Sequence, residues 1–87
     1  MLDFLYSFSI IEEDYKMGKV NITNNIRKLR FNNDEMTQQE LADKLGVSRQ
    51  TINAIEAGKY SPTLELAFRI AEVFKVSLAE VFQYDYP

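Results

Sequence analysis

Apolar residues recur along this chain in five short runs at helical spacing, each bounded by residues suited to starting or stopping a helix. Leu41, Ala42 and Leu45 make one such stripe. It opens at Thr37, which with Glu40 has the spacing of a capping box: the hydroxyl takes a backbone N–H and the carboxylate returns to the Thr37 N–H. Gly46 closes it, because a left-handed residue there carries no Cβ penalty. Only Val47 separates Gly46 from the next cap, Ser48. A second run then places Ile52 and Ile55 on one face of a helix from Arg49 that stops at Gly58.

Three further runs flank this pair. A first helix, capped by Asn21 or Thr23 and ending near Phe31, is expected to turn Ile22, Ile26, Leu29 and Phe31 inward and Arg27 and Lys28 toward water. Gly18 to Asn21 read as a linker, and Asn32 to Glu35 as a turn that returns Met36 to the core. After a Lys59-Tyr60-Ser61-Pro62 loop, Pro62 and Thr63 start a fourth helix with Leu64, Ala67, Ile70, Ala71 and Phe74 inward. Val76-Ser77 breaks it. Ser77 with Glu80 forms another capping box before a short fifth helix carrying Leu78, Val81 and Phe82. In the tail, Tyr84 either packs on the fifth helix or serves a dimer contact. The two central helices share so tight a turn that they must cross steeply, which is helix-turn-helix geometry. The pattern is that of a compact, all-α, five-helix domain over residues 22–83, with an extension and linker at 1–21 and a tail at 84–87.

Residues 1–16 follow a different rhythm. Phe4, Tyr6, Phe8 and Ile10 alternate with Leu5, Ser7 and Ser9, a period of two that predicts a short strand with an apolar face. A second reading is that Met17 is the physiological start. Glu12 to Met17 can be encoded by GAG-GAG-GAT-TAT-AAA-ATG, which contains a purine-rich ribosome-binding site before an ATG. There is no basic segment or small-residue cleavage site of the kind that marks a secretion signal.

Eighty-seven residues suffice for one domain with one small core, and no run is apolar enough to span a bilayer. The chain has neither cysteine nor histidine. That removes disulfides, Cys/His zinc sites, Cys nucleophiles and a His general base, and no carboxylate pair sits among apolar residues in a catalytic pattern. No enzyme activity, cofactor or metal is expected; lack of cysteine fits the cytoplasm. The net charge of −3 runs against nucleic-acid binding. Its source is local, however: Asp3, Glu12, Glu13 and Asp14 outweigh Lys16, and the rest of the chain is neutral.

The helix from Arg49 carries the candidate chemistry. Its outer face is Arg49, Gln50, Asn53 and Ala54, with Thr51 on the flank. Arg, Gln and Asn can pair bidentately with base edges in a major groove, at about 1–3 kcal/mol of discrimination each. Gln38 stands at the amino end of the preceding helix, where free N–H groups favour an anion such as a phosphate. Arg27 and Lys28 could reach phosphates further out.

Thr37-Gln38, Leu41-Ala42, Leu45-Gly46-Val47-Ser48, Ile52, Ile55-Glu56, Gly58 and Pro62 together resemble the phage-repressor and Cro type, the XRE-like family. The resemblance covers about Ile22 to Phe82 and implies a lambda-repressor-like DNA-binding fold. It also implies that Arg30 pairs with Glu56 in a largely buried salt bridge, that Ala54 faces bases, and that Thr51, Asn53, Lys59 and Tyr60 lie beside the DNA backbone. Residues 1–16 fall outside the family pattern.

The function expected is sequence-specific binding of double-stranded DNA by a small transcriptional regulator of repressor type, with helix 49–57 in the major groove. Repressors of this type pair up, so a homodimer on a palindromic operator is implied, with no membrane partner. Its surface would involve Phe74, Phe82 and Tyr84, or strands Phe4–Ile10 from two chains. The alternative is a protein-interaction module, such as an antitoxin or a partner of another regulator; acidic or apolar residues on the outer face of helix 49–57 would favour it. If Met17 is the start, protein purified from its own host will have the intact mass of residues 17–87. A mass that includes residues 1–16 would refute that start.

Overall fold

The computed structural model describes residues 21–85. The strand expected at Phe4–Ile10 lies outside them. The elements are β1 (Asn21–Asn24), α1 (Ile26–Phe31), α2 (Gln38–Leu45), α3 (Arg49–Glu56), α4 (Leu64–Phe74), α5 (Leu78–Val81) and β2 (Phe82–Asp85). Among the described residues, no helix is long and apolar enough to cross a membrane.

Local capping chemistry sets most helix boundaries. The Thr37 hydroxyl accepts from Glu40 N–H at 3.0 Å while the Glu40 carboxylate accepts from Thr37 N–H at 2.9 Å. That backbone bond, with the Thr37 hydroxyl and Lys44 adding to it, holds the Glu40 carboxyl below its usual range. Ser77 and Glu80 repeat the box before α5. Ser48 and Thr63 cap α3 and α4 through Thr51 N–H and Leu66 N–H. Gly46 ends α2 at φ 72°. A Cβ there would meet nothing within 4 Å, so the backbone angle alone demands glycine.

The core is one cluster drawn from all five helices: Ile26, Leu41, Ala42, Leu45, Ile52, Ile55, Ile70, Ala71, Phe74 and Val81. Leu29, Met36, Val47 and Phe82 pack against it, half-buried. A fully buried Ile or Leu contributes about 1.5–3 kcal/mol. Helices of four to eleven residues depend on such burial, since they are too short to persist alone.

Several expectations are corrected. The first helix begins at Ile26, not near Asn21. Residues 21–24 instead pair antiparallel with 82–85, with Ile22 opposite Tyr84 and Asn24 opposite Phe82. The helical domain thus carries a two-stranded ladder that includes Tyr84, and the divisions at 21/22 and 83/84 run through it. Ile22, Phe31 and Leu64 are exposed at 44%, 67% and 68%, whereas an inward position was expected for each. Phe74 is buried in the core and unavailable as a dimer contact.

The polar ends of the short helices are tied across the fold. Asn24 Oδ1 accepts from Ile26 N–H at 3.1 Å, and its Nδ2 donates to the Ile55 carbonyl at the end of α3, also at 3.1 Å. Asn25 donates to the Val81 carbonyl through its backbone and to the Glu80 carbonyl through its side chain. Arg69, exposed on α4, donates to the Leu45 carbonyl at 2.9 Å. Three helix C-termini thereby find partners for carbonyls that have none within the helix.

α4 ends on Lys75 in the left-handed region, φ 56° and ψ 43°. A side chain there is disfavoured by roughly 1–2 kcal/mol, while glycine loses roughly 0.5–1 kcal/mol more backbone freedom on folding. Lys75→Gly should therefore stabilise the protein by about 0.5–1 kcal/mol, read as a higher urea midpoint with an unchanged slope.

Candidate nucleic-acid interface

α3 presents two faces because its sequence repeats apolar residues every three positions. Ile52 and Ile55 are buried against α2 and the core. Arg49, Gln50 and Asn53 on the opposite face are exposed, while Ala54 is half-buried. Ser48 and Gly46 fix where α3 starts and how steeply it leaves α2.

Arg30, at the end of α1, meets Glu56, the last residue of α3. Arg30 Nε donates to Oε2 at 2.6 Å and Nη2 donates to Oε1 at 3.0 Å. The pair is largely withdrawn from water, with 13% and 9% of the side chains exposed. Arg30 Nη1 also donates to the Met36 carbonyl at 2.7 Å, which ties in the turn between α1 and α2. A carboxylate at the negative end of a helix is unfavourable by itself, and the bidentate guanidinium offsets that.

Gln38 joins this pair to the exposed face. Its Nε2 donates to Glu56 Oε1 at 3.2 Å and to Asn53 Oδ1 at 3.3 Å. Its Oε1 accepts from Arg49 Nη1 at 3.4 Å. Both side-chain N–H donors of Gln38 are therefore engaged within the protein.

The other residues named from sequence are placed separately. Gln50 is exposed on the same face. Thr51 is half-buried, with its hydroxyl 3.0 Å from that of Ser48, so it closes the start of α3. Lys59 and Tyr60 are exposed in the loop after α3, which Gly58 turns at φ 74°. Sequence reasoning missed the role of Gln38 as the link between the ion pair and the outer face. It also missed Asn24, although an Asn just before a helix is a recognisable capping signal.

A family model described as Helix-turn-helix matches residues 26–81. The match runs from the first residue of α1 to the last of α5 and leaves the β1–β2 ladder outside. An uncharacterized HTH-type transcriptional regulator of Methanocaldococcus jannaschii is 60% identical over 50 residues, which cover 58% of this chain and 76% of that protein. One from Archaeoglobus fulgidus is 47% identical over 58 residues, covering 67% of this chain and 78% of that one. The cryptic phage CTXphi transcriptional repressor RstR of Vibrio cholerae is 39% identical over 56 residues, 64% of this chain and 50% of RstR. A crystal structure of a Bacteroides fragilis protein has the same fold, with a TM-score of 0.63 at 24% identity, covering 71% of this chain and 98% of that one.

Removing one member of a buried ion pair leaves an uncompensated charge, at about 3–5 kcal/mol, whereas replacing both by apolar groups is often nearly neutral. Arg30→Met and Glu56→Leu should each destabilise the fold by about 3 kcal/mol in urea denaturation, near the lower bound because some water reaches the pair. The double variant should lose much less than the sum. Additive losses would show that the pair contributes nothing as a pair.

Proposed function

The chain belongs to the helix-turn-helix family represented by these transcriptional regulators, and from that premise we propose that it represses transcription by reading double-stranded DNA with α3. The observation that carries this reading is the exposed set Arg49, Gln50 and Asn53, held on a helix whose other face is fixed by Ile52 and Ile55. Arg49 matches guanine O6/N7 and Gln50 matches adenine N6/N7, while Ala54 could touch a thymine methyl. Asn53 reaches the DNA one turn further along α3. The amino end of α2, with Lys59 and Tyr60 in the following loop, would position the backbone, and Thr51 would lie alongside. Salt bridges to phosphates are few, so non-specific affinity is weak and its salt slope shallow.

One such face spans only a few base pairs. A homodimer would place two α3 helices in successive major grooves about 34–36 Å apart, on a palindromic operator. Leu64 and Phe68, one turn apart on α4, and Ile22 opposite Tyr84 on the ladder are the exposed apolar residues suited to a second copy. The protein would act in the cytoplasm, where its DNA is.

Selection of random duplexes on the purified protein should enrich a palindrome. Arg49→Ala and Gln50→Ala should each relax the preference at one position per half-site. Lys59→Ala should weaken binding evenly across sequences and lower the salt slope by about one. No enriched sequence, with the variants indistinguishable from the parent, would refute the reading.

A further inference from the structure

An apolar groove runs beside α4. Ile22, Pro62, Leu64, Ala67, Leu78 and Phe82 line its first part, about 270 Å³ in volume. Leu78 also borders a second hollow further along α4, with Phe68, Ala71 and Val76. Leu64 and Phe68, one turn apart and 68% and 54% exposed, connect the two. From Leu64 to Lys75 the groove follows α4 for about 17 Å.

We propose that residues 4–10 of the same chain lie across this groove as an apolar cover. The twenty residues before Asn21 join the described structure next to Ile22, which lines the groove. On an extended chain Phe4, Tyr6, Phe8 and Ile10 fall on one side at intervals of about 6.7 Å, about 20 Å in all. That length matches the groove. Residues 11–20 make a tether that spans up to about 33 Å, so the segment reaches either end. Glu12, Glu13 and Asp14 stay in that tether, where water solvates them, and the apolar run is free of charge. A short tether holds the segment at an effective concentration on the order of millimolar, which a dilute second copy does not match. The occupant is therefore the chain's own segment.

The cover stands apart from the DNA reading, but one consequence rests on it. Ile22, Leu64 and Phe68 are residues that the proposed function offers to a second copy, so the cover competes with dimerisation in solution. A chain that starts at Met17 lacks the cover. Two copies on adjacent half-sites of an operator regain a comparable effective concentration, and the second copy then displaces the segment.

The test uses the full chain, Leu64→Asp in the groove and a double variant, Phe4→Asp with Phe8→Asp, in the segment. None of these positions belongs to the core cluster, so both variants keep the fold. Backbone hydrogen exchange of residues 4–10 and sedimentation equilibrium are measured without DNA. In the parent, residues 4–10 should exchange roughly tenfold or more slowly than in Leu64→Asp, as a segment docked nine-tenths of the time would. Leu64→Asp leaves the sequence of the segment unchanged, so the comparison needs no correction for intrinsic rates. The double variant should also lose protection, and it should dimerise at a concentration roughly tenfold or more below that of the parent. Equal exchange of residues 4–10 in the parent and in Leu64→Asp would overturn the proposal. Protection that appears in the parent only where its mass doubles would also overturn it, by naming a second copy as the occupant. Loss of protection in both variants with no gain in dimerisation would uphold the cover and remove its consequence. An operator selection that enriches nothing would remove the DNA reading and leave the cover standing.

Discussion

Arg30 and Glu56 are brought from the ends of two different helices into a site that water barely enters. Such a pair is tolerable only when both ions are well bonded, and here they are. The carboxylate takes two bonds from Arg30 and one from Gln38, and the remaining Arg30 nitrogen holds the Met36 carbonyl. The consequence is geometric more than energetic. α1, the turn into α2, the amino end of α2 and the last residue of α3 are all fixed relative to one another by one cluster of polar atoms. The DNA-reading helix of the proposed function is held at its far end by that cluster and along its inner face by Ile52 and Ile55.

The same economy of short elements recurs through the molecule. α2 and α3 have eight residues each, α1 has six and α5 has four. Helices this short are mostly ends, and their orphan carbonyls must find partners. Asn24, Asn25 and Arg69 supply them from distant segments. Asn24 and Asn25 sit where β1 hands over to α1, so the ladder positions the two amides that close α3 and α5. These ties leave little slack in α3.

The charge balance takes its meaning from placement. The chain's net −3 comes from residues 1–16, and the remainder is neutral. Within that remainder Arg30 and Glu56 neutralise each other away from solvent. Arg49 and Lys59 stay exposed on and just beyond α3. On the proposed function, a face with so few cations would draw its selectivity from base-edge contacts and less from general attraction to phosphate.

What the sequence determined by itself is local. Thr37 with Glu40, Ser77 with Glu80, Ser48, Thr63 and Gly46 act on backbone within three or four residues, so spacing suffices to read them. Ile52 and Ile55 likewise declare the buried face of α3 by period alone, and that leaves Arg49, Gln50 and Asn53 outside. The Arg30–Glu56 partnership came from family resemblance, since nothing in spacing links residues 26 positions apart. The tertiary structure decided the rest. Ile22 fits a helical stripe, but its backbone pairs with Tyr84 in a ladder. Phe31 and Leu64 keep the helical period yet fall beyond the edge of a core too small to cover them. Lys75 takes a left-handed angle because the chain must turn into α5 there. The direction of the Gln38 amide depends on an acceptor and a donor delivered by α3 after folding. Short-range propensity cannot encode any of these, because each is settled by groups that only the completed fold brings together.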